Sequence, residues 1–146
     1  MPADQPHATL RKFGYPGTLV HEGKHWAVLV RPAQATLGAL VLCARSEAMA
    51  YGDLPAEAFA EQAELVPRIE QVLRTVSHYE KINYLMLMMV DPHVHFHIIP
   101  RYPGSREFGG EAFPDSGWPG LPDLKSSRDA SANLVINIRK SWQAIS

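Results

Sequence analysis

The stretch His93-Val94-His95-Phe96-His97-Ile98-Ile99 decides how this chain is read. Histidine stands at every second position, and apolar residues fill the positions between. Successive side chains of a β-strand alternate between its two faces. As a strand, the segment sends three imidazoles to one side and Val94, Phe96 and Ile98 to the other. Alternate residues lie about 6.5–7 Å apart on one face, twice the strand rise. Three titratable rings in register, backed by an apolar anchor, describe a chemical site and not surface decoration.

Elements are placed outward from this strand. Upstream, Lys81 to Val90 reads as a fourth strand, broken from the triad strand by Asp91-Pro92, and two strands so close in sequence form an antiparallel pair. Pro100 ends the triad strand. Thr18 to His21 and Trp26 to Val30 read as strands about the turn signal at Gly23, and Gly38 to Cys43 as a third strand apolar throughout. Between strands three and four, Phe59, Ala63, Val66, Ile69, Val72, Leu73 and Val76 form a stripe of helical period. Asp53 is the expected N-cap, with Pro55 in the first turn. Pro67 falls inside the pattern and predicts a kink or a break. Downstream, Tyr102 to Leu124 holds nine Gly or Pro and shows no regular period, which predicts a loop, ordered by its aromatics. Within a C-terminal region of about 126–142, Asn133 to Trp142 reads as a short helix with Leu134, Ile138 and Trp142 on one side.

Composition sets the frame. The 146 residues predict one domain, 1–146, able to bury about two-thirds of its unfolded surface without a disulfide or structural metal. Hydrophobic residues make up 46% and charged residues 20%, as in an ordinary globule. A net charge of −1 argues against bulk nucleic-acid binding but leaves room for a small anionic ligand. The single cysteine, Cys43, lies in an apolar run, reads as a buried inert thiol, and fits a reducing compartment. Met1 to Gly14 reads as neither signal peptide nor anchor, and the run Tyr84 to Val90 is too short for a bilayer span of about 20 residues. A cytoplasmic protein that does not engage membranes is the default.

Two chemistries suit such a row. His-x-His on a strand can ligate zinc, with Asp91 of the right parity to join it, although rings about 13 Å apart at the ends of the row do not easily converge on one ion. The other is nucleophilic catalysis at phosphorus. Neutral imidazole offers a lone pair, and flanking rings donate hydrogen bonds to phosphoryl oxygens or protonate a leaving group.

The run His93 to Ile99, followed by Pro100-Arg101, resembles the motif of the histidine triad (HIT) family, His-φ-His-φ-His-φ-φ. Trp26 to Val30 is similar to the family's base-side strand, and Leu37 to Leu42 to the Pro-Gly-His strand after it, so the resemblance spans roughly residues 17 to 103. It implies an α+β fold: a five-stranded antiparallel sheet with one long helix and one short C-terminal helix, usually a homodimer. It also implies a nucleotidyl hydrolase or transferase. His95 attacks the α-phosphorus of a dinucleoside polyphosphate or nucleoside phosphoramidate, a covalent nucleotidyl-histidine forms, and His93 and His97 assist. No metal or other cofactor is implied. Leu29, Arg31, Asn83, Arg101 and Trp118 are the expected nucleotide-binding residues. Arg31 stands where the family often has Asn or Asp on the ribose, Ala39 replaces the Pro-Gly-His histidine, and Met88-Met89 replaces the Gly and amide common before the triad. The competing readings are a zinc-dependent hydrolase using the same histidines and a nucleotide-binding protein with little turnover. His21 and His25, beside a turn, are expected at the surface.

Overall fold

The computed structural model describes residues 5–145; residues 1–4 of the N-terminal segment and residue 146 lie outside it. A five-stranded antiparallel sheet forms its centre. In chain order its strands are β1 (Leu19–Glu22), β2 (Trp26–Val30), β4 (Leu40–Ala44), β5 (Lys81–Leu85) and β6 (His95–Arg101), arranged β1-β2-β4-β6-β5. The short β3 (Ala33–Gln34) pairs with β9 (Arg128–Asp129), and β7 (Ser105–Phe108) with β8 (Glu111–Pro114). Three helices complete the α+β fold: α1 (Ala8–Lys12), the long α2 (Ala56–Ser77) and α3 (Ala132–Ala144).

Period-2 alternation builds a core on each face of the sheet. Trp26, Val28 and Val30 of β2, Leu40, Leu42 and Ala44 of β4, and Ile98 of β6 join the cluster formed with α2 and α3. The residues between them, Ala27, Leu29, Val41 and Cys43, meet Leu10 and Phe13 of the α1 segment in a second cluster. All five residues of β2 and of β4 are therefore buried. Each Leu or Val placed in this way contributes about 1.5–3 kcal/mol. Gly38 sits at φ +92 in the turn before β4, where a Cβ would also press on Leu73, so a glycine is required there.

Several boundaries differ from those predicted. The helix is capped at Pro55, not Asp53, and runs unbroken from Ala56 through Pro67. Pro67 and Ala63 are both exposed, so the carbonyl that the proline leaves without a donor lies on the solvent side of the helix. The first half of the apolar stripe is shifted by one position: Ala58 and Leu65 are buried, whereas Phe59 and Ala63 are exposed and Val66 only half-buried. The fourth strand stops at Leu85, because Met89 and Val90 are more than 80% exposed and have no core to enter. β6 begins at His95 and continues through Pro100 to Arg101, paired on both sides. The expected loop contains the β7–β8 hairpin, closed by Gly109 and Gly110 at φ +61 and +82, the left-handed pair that a tight two-residue turn uses. The C-terminal helix starts at Ala132, with the Ser131 side chain capping Leu134 N–H. His21 and His25 are half-buried, not exposed.

Candidate functional site

The sheet face under α1 carries all three triad imidazoles. His95 and His97 are alternate residues of β6, their ring centroids 5.0 Å apart and nearly perpendicular. His93 precedes the strand, yet its ring lies on the same side, against α1. Val94 and Ile98 point the other way into the larger core, and Phe96 packs against it. The alternation read from the sequence thus holds, although the strand itself starts two residues later.

The hydrogen bonds fix the tautomers of two rings. His95 Nδ1 lies 2.7 Å from the carbonyl oxygen of His93. A carbonyl only accepts, so Nδ1 carries the proton and Nε2 carries the lone pair. Nε2 of His95 is buried and has no hydrogen-bond partner. His97 has the opposite arrangement. Arg31 donates from Nε to His97 Nδ1 at 3.2 Å, which leaves the His97 proton on Nε2. Burial, then the Arg31 charge, then His95 push the His97 pKa down to about 4. The ring is neutral at physiological pH.

His93 is held from three directions. Its Nδ1 is 2.8 Å from Thr9 Oγ1, its Nε2 is 3.1 Å from Glu47 Oε1, and the His7 ring stacks on it at 3.8 Å. His7 in turn contacts the Ala44 carbonyl at 2.7 Å and caps α1 by accepting from Leu10 N–H. Burial lowers the His7 pKa. His7 and Thr9 were not singled out from the sequence; the segment carries only scattered apolar residues, and its partner His93 is 84 residues away from Thr9.

A cavity of about 520 Å³ opens beside this row. His97, Arg31, Lys12, Asp91 and Phe13 line it, with Leu87, Met89 and Val90 at one wall. Lys12 and Asp91 pair at 3.1 Å. The Phe13 ring lies 5.6 Å from His95 and 5.4 Å from His97, and His95 itself is fully buried. Phe13 therefore touches both rings and borders the cavity, whereas His95 does not line it.

The expected binding residues divide between places. Arg31 lines the cavity beside His97. Leu29 is on the same sheet face, in line with His97 through Val41, but it is fully buried in the smaller core. Asn83, Arg101 and Trp118 instead line a second cavity of about 950 Å³, with Lys81, Tyr84 and the Pro119–Pro122 turn. Arg101 is about 13 Å along β6 from His97, four strand residues. Its guanidinium is bound to both carboxylate oxygens of Asp115, at 2.7 and 3.1 Å, and to Asn83 Oδ1 at 2.8 Å. Cys43 is buried, and burial pushes its thiol up to about 12, an inert state. Among the described residues no three His, Cys, Asp or Glu side chains converge as a metal-binding group, and no helix is long and apolar enough to cross a membrane.

A family model for the HIT domain matches residues 15–104. The chain belongs to the HIT-domain family. Solved structures with the same fold include a histidine triad protein of Bradyrhizobium japonicum, at TM-score 0.71 and 21% identity, covering 98% of both chains. A hypothetical histidine triad nucleotide-binding protein of Sulfolobus tokodaii aligns at TM-score 0.66 and 19% identity over 94% of this chain and 91% of its own. A zinc-bound histidine triad family protein of Mycobacterium smegmatis aligns at TM-score 0.62 and 18% identity over 89% of this chain and 86% of its own. No curated protein matches. The α1 segment before Tyr15 lies outside the HIT-domain match, although it supplies Thr9, Phe13 and His7 to the triad face.

Proposed function

We propose that this HIT-domain protein is a nucleotidyl hydrolase or transferase working by covalent catalysis at His95. One observation carries the reading: the His93 carbonyl holds the His95 proton on Nδ1, so the unpartnered Nε2 presents its lone pair on the triad face. Such a nitrogen attacks an α-phosphorus without first losing a proton. The Nε2–P bond forms, the P–O bond to the leaving group breaks, and the leaving oxygen takes the electron pair. The His93 carbonyl stabilises the imidazolium that results, as a fixed dipole aimed at developing charge. Water then attacks phosphorus, the P–N pair returns to Nε2, and the proton of the water passes to solvent. His97 Nε2–H serves as a hydrogen-bond donor to a phosphoryl oxygen, and the cavity between Arg31 and Lys12 accommodates an anionic substrate. A nucleotide substrate is favoured by family membership and by the naming of the Sulfolobus relative.

The working unit in this reading is one cytoplasmic HIT-like domain, 1–146, paired as a homodimer that uses neither nucleic acid nor a membrane. The outer strand β5 and the exposed Met89, Val90 and Leu121 offer surface for the pairing.

The deciding experiment is a rapid quench with an α-³²P-labelled dinucleoside polyphosphate, in the presence of EDTA. An acid-labile label that maps to His95 supports covalent catalysis. Turnover that requires zinc to be restored after chelation would move the site to the zinc-dependent reading. Stoichiometric binding with no label and no product would make the protein a nucleotide binder. Light scattering at micromolar concentration tests the dimer, which fails if only the single-chain mass is found.

A further inference from the structure

His97 and Arg31 meet in a way that constrains what the site can release. Arg31 follows β2, and its guanidinium is anchored by donating from Nη1 to the Ala33 carbonyl while Nε donates to His97 Nδ1 at 3.2 Å. Guanidinium has no acceptor and does not deprotonate, so the direction of this bond is fixed. For His97 to become an imidazolium it would need a proton on Nδ1, where Arg31 already places one of its own. The remaining proton, on Nε2, can be shared in a hydrogen bond but not given away, because its loss would create an imidazolate.

We propose that Arg31 is a positioning residue that makes His97 a hydrogen-bond donor and removes it as a general acid, so that this site cleaves substrates whose leaving group departs as a stable anion. This rests on the covalent reading above and narrows its substrate class to phosphoanhydrides. A phosphate leaving group, with a pKa of about 6, accepts the electron pair of the broken P–O bond and departs as it is. An amine leaving group must take up a proton as the P–N bond breaks, or it would depart as an amide anion.

The charged and titratable groups around His97 agree with this assignment. Arg31 and Lys12 oppose a positive charge on the ring, His95 opposes it as well, and Asp91 alone favours it. Asp91 is already paired with Lys12. His93, the remaining triad ring, is engaged by Thr9 and Glu47 and does not line the cavity. The two cations on the cavity wall, Arg31 and Lys12, suit the accumulating negative charge of a departing phosphate.

The test uses the full-length protein and two substrates with one nucleoside α-phosphate: a dinucleoside polyphosphate and an alkylamine phosphoramidate. A positioned general acid is worth about 10²–10⁴-fold. The expected kcat/KM therefore favours the anhydride by about that factor in wild type. In Arg31→Met, Nδ1 is free to protonate. Phosphoramidate turnover should then rise as pH falls, with a midpoint above the wild-type His97 value of about 4 but below the ordinary value of about 6.5, because burial, the larger cause, remains, and anhydride turnover should not. ¹⁵N NMR of wild-type protein gives a reading independent of any variant: His97 should show an unprotonated Nδ1 and a protonated Nε2. Equal turnover of both substrates by wild type overturns the proposal, as does an unchanged preference and pH profile in a folded Arg31→Met, or a proton on His97 Nδ1. Absence of a His95 adduct with either substrate instead defeats the covalent reading, and the NMR result still judges the Arg31–His97 contact on its own.

Discussion

The His7 ring lies flat on that of His93, with centroids 3.8 Å apart and planes 11° from parallel. For His7, burial is the largest cause opposing a proton, and His93 beside it acts in the same direction. Burial lowers the folded-state pKa of His7, and those of His21 and His97 are lowered by burial too. The unfolded chain binds these protons near the ordinary value of about 6.5. Below that value, and down to each folded pKa, the unfolded state holds more protons, so stability falls with pH; above it, the full stability is present. For His97, whose folded pKa is about 4, the loss amounts to roughly 3 kcal/mol once pH is below both values.

His7→Gln isolates one of these contributions. At about pH 7.5 the variant loses the stack and the α1 cap, the latter typically worth about 1 kcal/mol. At about pH 5, below the ordinary histidine value, the wild type loses stability that the variant keeps, because the lowered folded pKa of His7 leaves the unfolded state holding more protons, so the two proteins should draw together. Melting temperatures of both proteins at the two pH values test this. An equal gap at both would mean that His7 does not titrate against its burial.

Asp115→Ala should cost about 3–5 kcal/mol, the penalty for leaving a buried charge unpaired. Both partners are nearly inaccessible, Arg101 at 4% and Asp115 at 6% exposure, and Asp115 also accepts from Tyr102 N–H at 3.1 Å. The double variant Arg101→Met, Asp115→Leu should recover much of the loss. Urea denaturation measures both. A single-variant cost under about 1 kcal/mol, the range of surface pairs, would contradict the buried ion pair.

The sheet was legible because Trp26–Val30 and Leu40–Ala44 are short apolar runs buried on both faces and bounded by turn signals. In His93–Ile99 the alternation of histidine with apolar residues sorts the side chains onto two faces before any contact is known. The triad's sidedness was legible for that reason. What the sequence concealed depends on contacts between distant residues. Leu10 and Phe13 alone do not announce a helix that covers the site. Arg31 and His97, 66 residues apart, give no sign of their hydrogen bond. The β7–β8 hairpin hid in a Gly/Pro-rich stretch because Ser105–Phe108 and Glu111–Pro114 are largely solvated and carry little apolar alternation. The ion pair of Arg101 with Asp115 was hidden by distance, since Asp115 lies beyond the hairpin.

Phe13→Ala should uncover His95. The ring contacts both His95 and His97 and borders the cavity, so removing it opens a path to a lone pair that is otherwise buried. Diethylpyrocarbonate modification, located by peptide mass mapping, should be faster at His95 in the variant than in wild type. The change also removes an aromatic side chain from the smaller core, at about 3–5 kcal/mol if fully packed, so folding is checked by circular dichroism. Unchanged His95 modification in a folded variant would show that access runs by another route.

The triad substitutions should separate by role. His95→Ala removes the lone pair that the His93 carbonyl orients, and with it any acid-labile adduct. Because a nucleophile cannot be replaced by positioning alone, kcat should fall by at least the upper end of the about 10²–10⁴-fold that acid–base help supplies. His97→Gln keeps an N–H donor but lacks the fixed ring, and should retain measurable adduct with a smaller loss. His93→Ala removes a side chain committed to Thr9, Glu47 and the His7 stack, while its backbone carbonyl still orients His95. That variant should form the adduct, and its principal defect should be a lower melting temperature. The measurements are single-turnover rates with labelled substrate and thermal melts of the same preparations. A His93→Ala loss as large as that of His95→Ala, in a protein that melts like wild type, would show that the His93 ring acts in the chemistry and not through the position of α1.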